Sequence, residues 1–406
     1  MENQILNLIK KEEKRQIETL MMIPSENYTY PEVRQAVGSV LMHKYSEGYP
    51  KKRYYQGNKI IDEVEEIAIV NAKKLFNVPH ANVQSYSGSP ANSAVLMGLI
   101  NPGDTIMGLN LASGGHLTHG HPNITFSGKF FKSVQYGVKS DGYIDYDELE
   151  TLAFKEKPKL IIAGLTAYSR NLDWARFADI SKKVNAYLLA DISHIAGLVA
   201  GGAIDSPVDF VDVITTTTHK TLRGPRGALI MVTQKGIDRD PDMSKKIDRA
   251  VFPGLQGGPH NNTTAGIAIA LEKASTKEFA DYAKNTINNA KVLAKSLIDF
   301  GFDLITGGTD NHLMLIDLRN KNILGKEAAI LLEEAGIVVN YNAVPFDPNP
   351  PFNPSGIRLG TPALTARGMG ESEMIQIANW INEIIETKST EKIQNEVEIL
   401  CKKFPI

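Results

Sequence analysis

From residue 82 onward the chain repeats one theme. A short apolar or β-branched run is followed by a stretch with helical spacing, and then by another run. The runs are 105–109, 160–165, 187–190, 211–217 and 228–232, and the segments 91–99 and 174–184 carry their apolar residues at helical spacing. Apolar runs of this length that alternate with helices predict a largely parallel sheet covered by helices on both faces. A chain of 406 residues exceeds what one such core organises, so two or three domains are expected.

Outside that region the text changes character. Residues 2–20 place Ile5, Leu6, Ile9, Ile17 and Leu20 among Lys and Glu, the pattern of an amphipathic helix that covers either its own core or a partner subunit. From 22 to 57 the sequence is rich in Tyr, Gly and Pro and reads as loop lying on something larger. Helical spacing returns at 60–75. The segment 272–300 reads as one long helix bridging to a second domain, with a strand at 312–318, a helix at 326–335 and a final helix at 371–386. Pro345, Pro348, Pro350, Pro351 and Pro354 make the stretch between them irregular, because proline cannot donate to a ladder. The expected organisation is an N-terminal segment 1–53, a large domain 54–271 and a smaller α+β domain 272–406.

Composition narrows the function classes. Lys plus Arg number 44 and Asp plus Glu 46, a net charge of −2, so there is no global electrostatic case for nucleic acid or an anionic membrane surface. Cys401 is the single cysteine, which excludes an intrachain disulfide and favours a reducing, cytoplasmic home. No apolar run approaches the roughly 20 residues a spanning helix needs, and the first residues lack the pattern of a secretory signal.

The residues with chemical meaning cluster around 215–227, TTTTHKTLRGPRG. A β-branched strand runs into His219 and Lys220, then into a turn bearing Arg223 and Arg226. A lysine among basic neighbours is favoured in its neutral form and can condense with an aldehyde, although a lysine after a strand is more often a plain surface group. Asp191 ends another apolar run, where it could keep a pyridine nitrogen protonated or simply cap the next segment. His194 follows three residues later and could reach a phenolic oxygen. Ser87, Gly88 and Ser89 open a helix and offer hydroxyls and backbone N–H groups to a phosphate, a weak signal when isolated. His116, His119 and His121 could suggest a metal, but no carboxylate or thiol joins them, and no metal is expected.

Together these residues carry a resemblance. The words IPSENY at 23–28, KYSEGYP at 44–50, GGHLTHG at 114–120, TTTTHK at 215–220, PGLQGGP at 253–259, GGTDNHL at 307–313 and SGIRLGTP at 355–362 follow one another as in serine hydroxymethyltransferases (glycine hydroxymethyltransferases), which the chain resembles over nearly its whole length. The resemblance implies the aspartate-aminotransferase-like fold type I of pyridoxal phosphate (PLP) enzymes, an α/β architecture with a large, mostly parallel sheet domain and a smaller α+β domain. It implies conversion of serine and tetrahydrofolate to glycine and 5,10-methylenetetrahydrofolate, with PLP as cofactor and tetrahydrofolate as co-substrate. Lys220 would carry the cofactor as an aldimine, with Asp191 at its pyridinium, His116 stacked on its ring and His194, Arg226 and the Ser87-Gly88-Ser89 turn around it, while His219 beside Lys220 would be a catalytic residue. Arg358 would grip the amino-acid carboxylate, assisted by Ser25. Glu47 would be the acid/base group near the hydroxymethyl carbon, a role that sequence alone would not separate from a solvated loop glutamate. Tyr45, Tyr55, Gly257 and Gly258 match positions that reach across a homodimer interface. Leu111, Gly115, His116 and Leu117, with Pro350, Pro351 and Phe352, match folate contacts.

Two departures stand out. Pro90 follows Ser89 where the family has Gln, and Pro122-Asn123-Ile124 differ after His121. Competing functions are a folate-independent aldolase of threonine-like substrates, a transaminase, for which a second acidic-substrate clamp is missing, and a non-catalytic binding module, for which the chain offers no basic stripe.

Overall fold

The computed structural model describes residues 3–406, and by density of internal contact the chain divides into two compact units. One comprises residues 29–166 and 171–283; the other comprises, among the described residues, 3–28, 167–170 and 284–406. The division therefore runs differently from the expected 1–53, 54–271 and 272–406. Residues up to 28 pack with the C-terminal part of the chain, and the helix Asn261–Ala274 and the start of the next one belong to the larger unit.

The larger unit is built on a seven-stranded sheet. Its strands are β1 (His80–Asn82), β2 (Thr105–Leu109), β3 (Lys132–Tyr136), β4 (Leu160–Gly164), β5 (Tyr187–Asp191), β6 (Val213–Thr217) and β7 (Ala228–Val232), in the spatial order β1-β7-β6-β5-β4-β2-β3. Strands β3, β2, β4, β5 and β6 are mutually parallel, and β7 is antiparallel to both neighbours. The central strands β4, β6 and β7 are buried along their whole length, which is why they read as unbroken apolar or β-branched runs rather than as alternation. Ile106, Leu160, Ile162, Leu189, Val213 and Ile230 project from the sheet into one core with Ala91, Val95 and Leu96 of the helix Gly88–Leu99. That helix starts at Gly88 rather than at the first apolar residue, because Ser87, Gly88, Ser89 and Pro90 form its first turn; proline there forfeits no intrahelical bond.

The smaller unit has its own sheet of β8 (Asp303–Leu304), β9 (Leu313–Asp317), β10 (Asn340–Asn342) and β11 (Gly356–Gly360), all pairs antiparallel, in the order β8-β9-β11-β10. Met314, Ile316, Ile357 and Leu359 of this sheet pack with Leu293, Leu297, Ile377, Trp380 and Ile384. Residues 20–21 add a short parallel pairing with 337–338.

Three elements depart from the expectation. The helix read over 272–300 is two helices, Asn261–Ala274 and Lys277–Asp299, because the Thr276 hydroxyl accepts from the Phe279 N–H and starts the chain afresh. The loop read over 22–57 contains the helix Pro31–Val37, with Pro31 in its first turn. A further helix, Glu391–Lys403, follows the one expected to be last. No helix among the described residues is long and apolar enough to cross a membrane.

Candidate active site

The carboxyl ends of the parallel strands gather the chemistry. Asp191 is the last residue of β5, and Lys220 follows β6 by three residues. The loop after β2 carries His116 and His119, and Ser87 leads from β1 into the Gly88–Leu99 helix. Open α/β sheets bind their ligands at this edge, because the strand ends leave a crevice that helix N-termini face.

Asp191 is buried and held from all sides. The Ser193 hydroxyl and N–H donate to Oδ1 at 2.6 and 3.1 Å, and the Asn92 amide and His119 Nε2 reach Oδ2 at 2.8 and 3.1 Å. Burial by itself pushes a carboxyl up, but the hydrogen bond from His119, together with those from Ser193, wins and holds Asp191 far below the usual carboxylate range. The tautomer of His119 follows from its other nitrogen. The backbone N–H of His116 donates to Nδ1 at 3.2 Å, so Nε2 carries the proton and donates to Asp191. Asn92 completes the support by accepting from Thr215 Oγ at 2.7 Å and donating to Thr118 Oγ at 2.8 Å.

Lys220 is buried within the 218–227 connection between the antiparallel pair β6 and β7. Thr218 closes this loop: its N–H donates to Gly227 and its hydroxyl to the Pro225 carbonyl at 2.6 Å, while Gly224 returns a bond to the Thr218 carbonyl. His219 is lowered to about 3 by burial and by the positive charges of Lys220 and Arg226. Its Nδ1 is buried and has no hydrogen-bond partner among the described residues. His116 is lowered to about 4, chiefly by burial and then by His119, so it presents a flat neutral ring; its Nδ1 accepts from the Thr118 N–H at 3.1 Å. His194 is buried, and its carbonyl accepts from the Thr221 hydroxyl. At Gly88 a side chain would approach Thr217 Cγ2 to 2.7 Å, so only glycine lets the helix start this close to β6.

A second cluster forms at residues 45–55 and 256–260. Tyr45 donates to Glu47 Oε1 at 3.2 Å, and the rings of Tyr45 and Tyr55 meet edge-on at 5.0 Å. The Glu47 carboxylate raises the Tyr45 phenol. Gly257 and Gly258 lie under them; a Cβ at either would come within 3.1 Å of Glu47 Oε1 or of the Tyr45 ring. Tyr86 stacks on His260 at 4.1 Å and donates to the Gly258 carbonyl.

The remaining expected residues fall as follows. Leu111 and Leu117 are about two-fifths exposed on the loop after β2, which Thr166 holds by donating its hydroxyl to the Gly115 carbonyl at 2.7 Å. In the smaller unit, Arg358 lies on β11 with Nε donating to Asn340 Oδ1 at 3.0 Å; burial lowers it to about 10, which leaves it charged at neutral pH. Ser25 follows Pro24, which abuts Gly360 at the end of the same strand, and the Met22 carbonyl accepts from the Gly360 N–H. Pro350, Pro351 and Phe352 lie exposed on a loop organised by Asp347, whose carboxylate accepts from the N–H groups of Val344, Asn349 and Ser355. His119 and Asn92 are the support residues that sequence reading missed. The signal for Asn92 was present: it is a polar side chain on the buried face of an apolar helix.

A sequence profile of the family described as serine hydroxymethyltransferase matches residues 1–381. The chain belongs to the serine hydroxymethyltransferase family. Curated serine hydroxymethyltransferases from Acidothermus cellulolyticus, Desulfotalea psychrophila and Sorangium cellulosum are 56%, 52% and 53% identical to it, each across 99% of this chain and 94–95% of the relative. Serine hydroxymethyltransferases are PLP-dependent transferases of fold type I that interconvert serine and glycine with tetrahydrofolate as co-substrate, and family members are typically homodimers. That is the activity and the architecture of this chain. The site fits the cofactor. A buried carboxylate kept ionised suits a pyridinium nitrogen, and an unpartnered buried His219 nitrogen among Lys220 and Arg226 suits an anionic, oxygen-rich ligand.

Proposed function

We propose that Lys220, Asp191, His116, His194, Arg226 and the Ser87-Gly88-Ser89 turn hold pyridoxal phosphate, with His219 beside Lys220 as a catalytic residue. The observation that carries this reading is Asp191, a buried carboxylate held ionised by His119 at the end of the strand beside the one that leads to Lys220. Pyridoxal phosphate supplies an electron sink for the pair released at the substrate α-carbon. Lys220 anchors it through its amine, and Asp191 keeps the ring nitrogen protonated. His116 covers the ring with a neutral imidazole. Ser87 makes no side-chain cap to its helix, so its hydroxyl stays available to the phosphate, as do the first N–H groups of that helix.

On the substrate side, Arg358 grips the amino-acid carboxylate with its planar guanidinium, assisted by Ser25. Glu47 moves the proton of the serine hydroxymethyl oxygen, and Tyr55 borders the same substrate. Leu111, Gly115, His116 and Leu117, with Pro350, Pro351 and Phe352, take the folate. We further infer that Tyr45, Glu47, Tyr55, Gly257 and Gly258 serve the active site of a second copy of the chain, so that the homodimer shares its sites. Half-exposure of Tyr45 (53%) and Tyr55 (45%) in the single chain supports that reading. The single thiol, Cys401, fits a reducing cytoplasmic location.

The decisive experiment combines the visible absorbance of the purified protein with serine cleavage in the presence and absence of tetrahydrofolate. A yellow protein with folate-dependent turnover is expected. Cleavage of allo-threonine far in excess of folate-dependent serine turnover would instead favour the aldolase reading.

A further inference from the structure

Tyr45 and Glu47 lie on a stretch, 44–47, that belongs to neither helix nor strand. Such a segment needs side-chain anchors if its residues are to hold a fixed geometry. Asn261, the first residue of its helix and only 3% exposed, grips it on both sides of Tyr45. Its Nδ2 donates to the Lys44 carbonyl at 2.5 Å, and its Oδ1 accepts from the Ser46 hydroxyl at 2.5 Å. A carbonyl can only accept, so the amide nitrogen must face Lys44 and the amide oxygen is left for Ser46; the orientation is forced. Ser46 is fully buried.

The neighbouring chain reinforces the grip. Asn262 donates to the Val37 carbonyl at 2.7 Å, and Gly257 and Gly258 form the floor under Glu47 and Tyr45. One stretch, 257–262, thus supplies both a floor and a clamp. Arg53 holds the next step by donating to the Ser46 and Gly48 carbonyls, while Asn58 donates to the Tyr55 carbonyl. The Asn261 bonds flank Tyr45 and end one residue before Glu47.

We propose that Asn261 is a positioning residue for the Tyr45–Glu47 pair, fixing the 44–47 turn so that the phenol keeps its hydrogen bond to the carboxylate. The functional part of this rests on the reading of Glu47 given above. Loss of the amide leaves a part-buried carbonyl and a buried hydroxyl without that partner, so the turn opens rather than closing over the gap. Asn261→Asp keeps the acceptor for Ser46 but places a second acceptor against the Lys44 carbonyl, and it should behave like Asn261→Ala.

The test uses the holoenzyme, with hydrogen exchange over peptides covering 44–49 beside steady-state kinetics. In Asn261→Ala, exchange across 44–49 should rise about tenfold, with β4 and β5 and the visible cofactor spectrum unchanged. The kcat for folate-dependent serine cleavage should fall about tenfold, with KM for serine moving less than about twofold. Added to Glu47→Gln, the Asn261→Ala change should cause no further loss. Unchanged exchange across 44–49, acceleration across the whole chain, or losses that multiply in the double variant would each overturn the proposal. Full activity in Glu47→Gln would instead sink the reading of Glu47, and the exchange data would still decide whether Asn261 holds the turn.

Discussion

Asp191 is held ionised by several neighbours, and His119 is the foremost of them. His119 both donates to it and counts among the largest influences holding it ionised. On the role proposed above for Asp191, Asp191→Asn should lower serine turnover by about a thousandfold, read as kcat at saturating substrates, because the cofactor ring would lose the charge that keeps its nitrogen protonated. Lys220→Ala should be colourless or lack the lysine-linked absorbance band, and should turn over negligibly; a yellow variant with normal turnover would remove Lys220 from its role. His219 yields a pH prediction. Its value is about 3 in the folded chain against 6.5 normally, so within that window the unfolded chain binds a proton that the folded chain does not. Stability thus rises with pH across the window, is complete above 6.5 and is lost as the pH falls. The urea midpoint of the cofactor-free protein should reflect a slope of up to about 1.4 kcal/mol per pH unit, shallower in His219→Gln. Lys220 and Asp191 were legible in the sequence because each sits at the end of a recognisable strand. That His119 and Asn92 serve Asp191 was not, because they act on it from 72 and 99 residues away.

Among the elements, the Gly88–Leu99 helix has the most direct functional consequence. Pro90 lies in its first turn, where proline supplies neither an N–H nor a side-chain amide to an anion. Pro90→Gln should restore one charge-assisted donor and tighten PLP binding about tenfold, measured by titrating cofactor into the stripped protein. Affinity equal to wild type would show that the side chain at 90 does not reach the phosphate. The central strands were readable because burial on both faces leaves an unambiguous apolar run. The helix read over 272–300 was not readable as two, because the break rests on one hydroxyl, that of Thr276, in a sequence otherwise suited to helix. The helix Pro31–Val37 was hidden by its neighbours: aromatic and glycine residues on either side mask seven residues of modest periodicity.

At the scale of the whole molecule, the smaller unit is closed by Arg367. Its guanidinium donates to the carbonyls of Ile17, Thr19, Cys401 and Phe404, tying the end of the helix Gln4–Glu18 to the end of the helix Glu391–Lys403. A planar fork of donors can serve several carbonyls at once where a lysine cannot. Arg367→Ala should cost about 3 kcal/mol, with faster hydrogen exchange in residues 4–18, and Arg367→Lys should recover little of it. The same helix exposes Ile5, Leu6, Leu8 and Ile9, so its amphipathic pattern does not report burial within its own chain.

The sequence by itself determined the class of sheet, the irregular proline-rich loop and the family, together with the residues that family motifs name. These are local properties: a buried strand must be apolar, proline cannot donate, and motif words need no partner to be read. Only the tertiary structure decided which side chains hold those residues in place. His119 and Asn92 on Asp191, Asn261 on the 44–47 turn and Arg367 on the chain ends all act across long sequence separations. A hydrogen bond depends on position in space, and the fold alone supplies that.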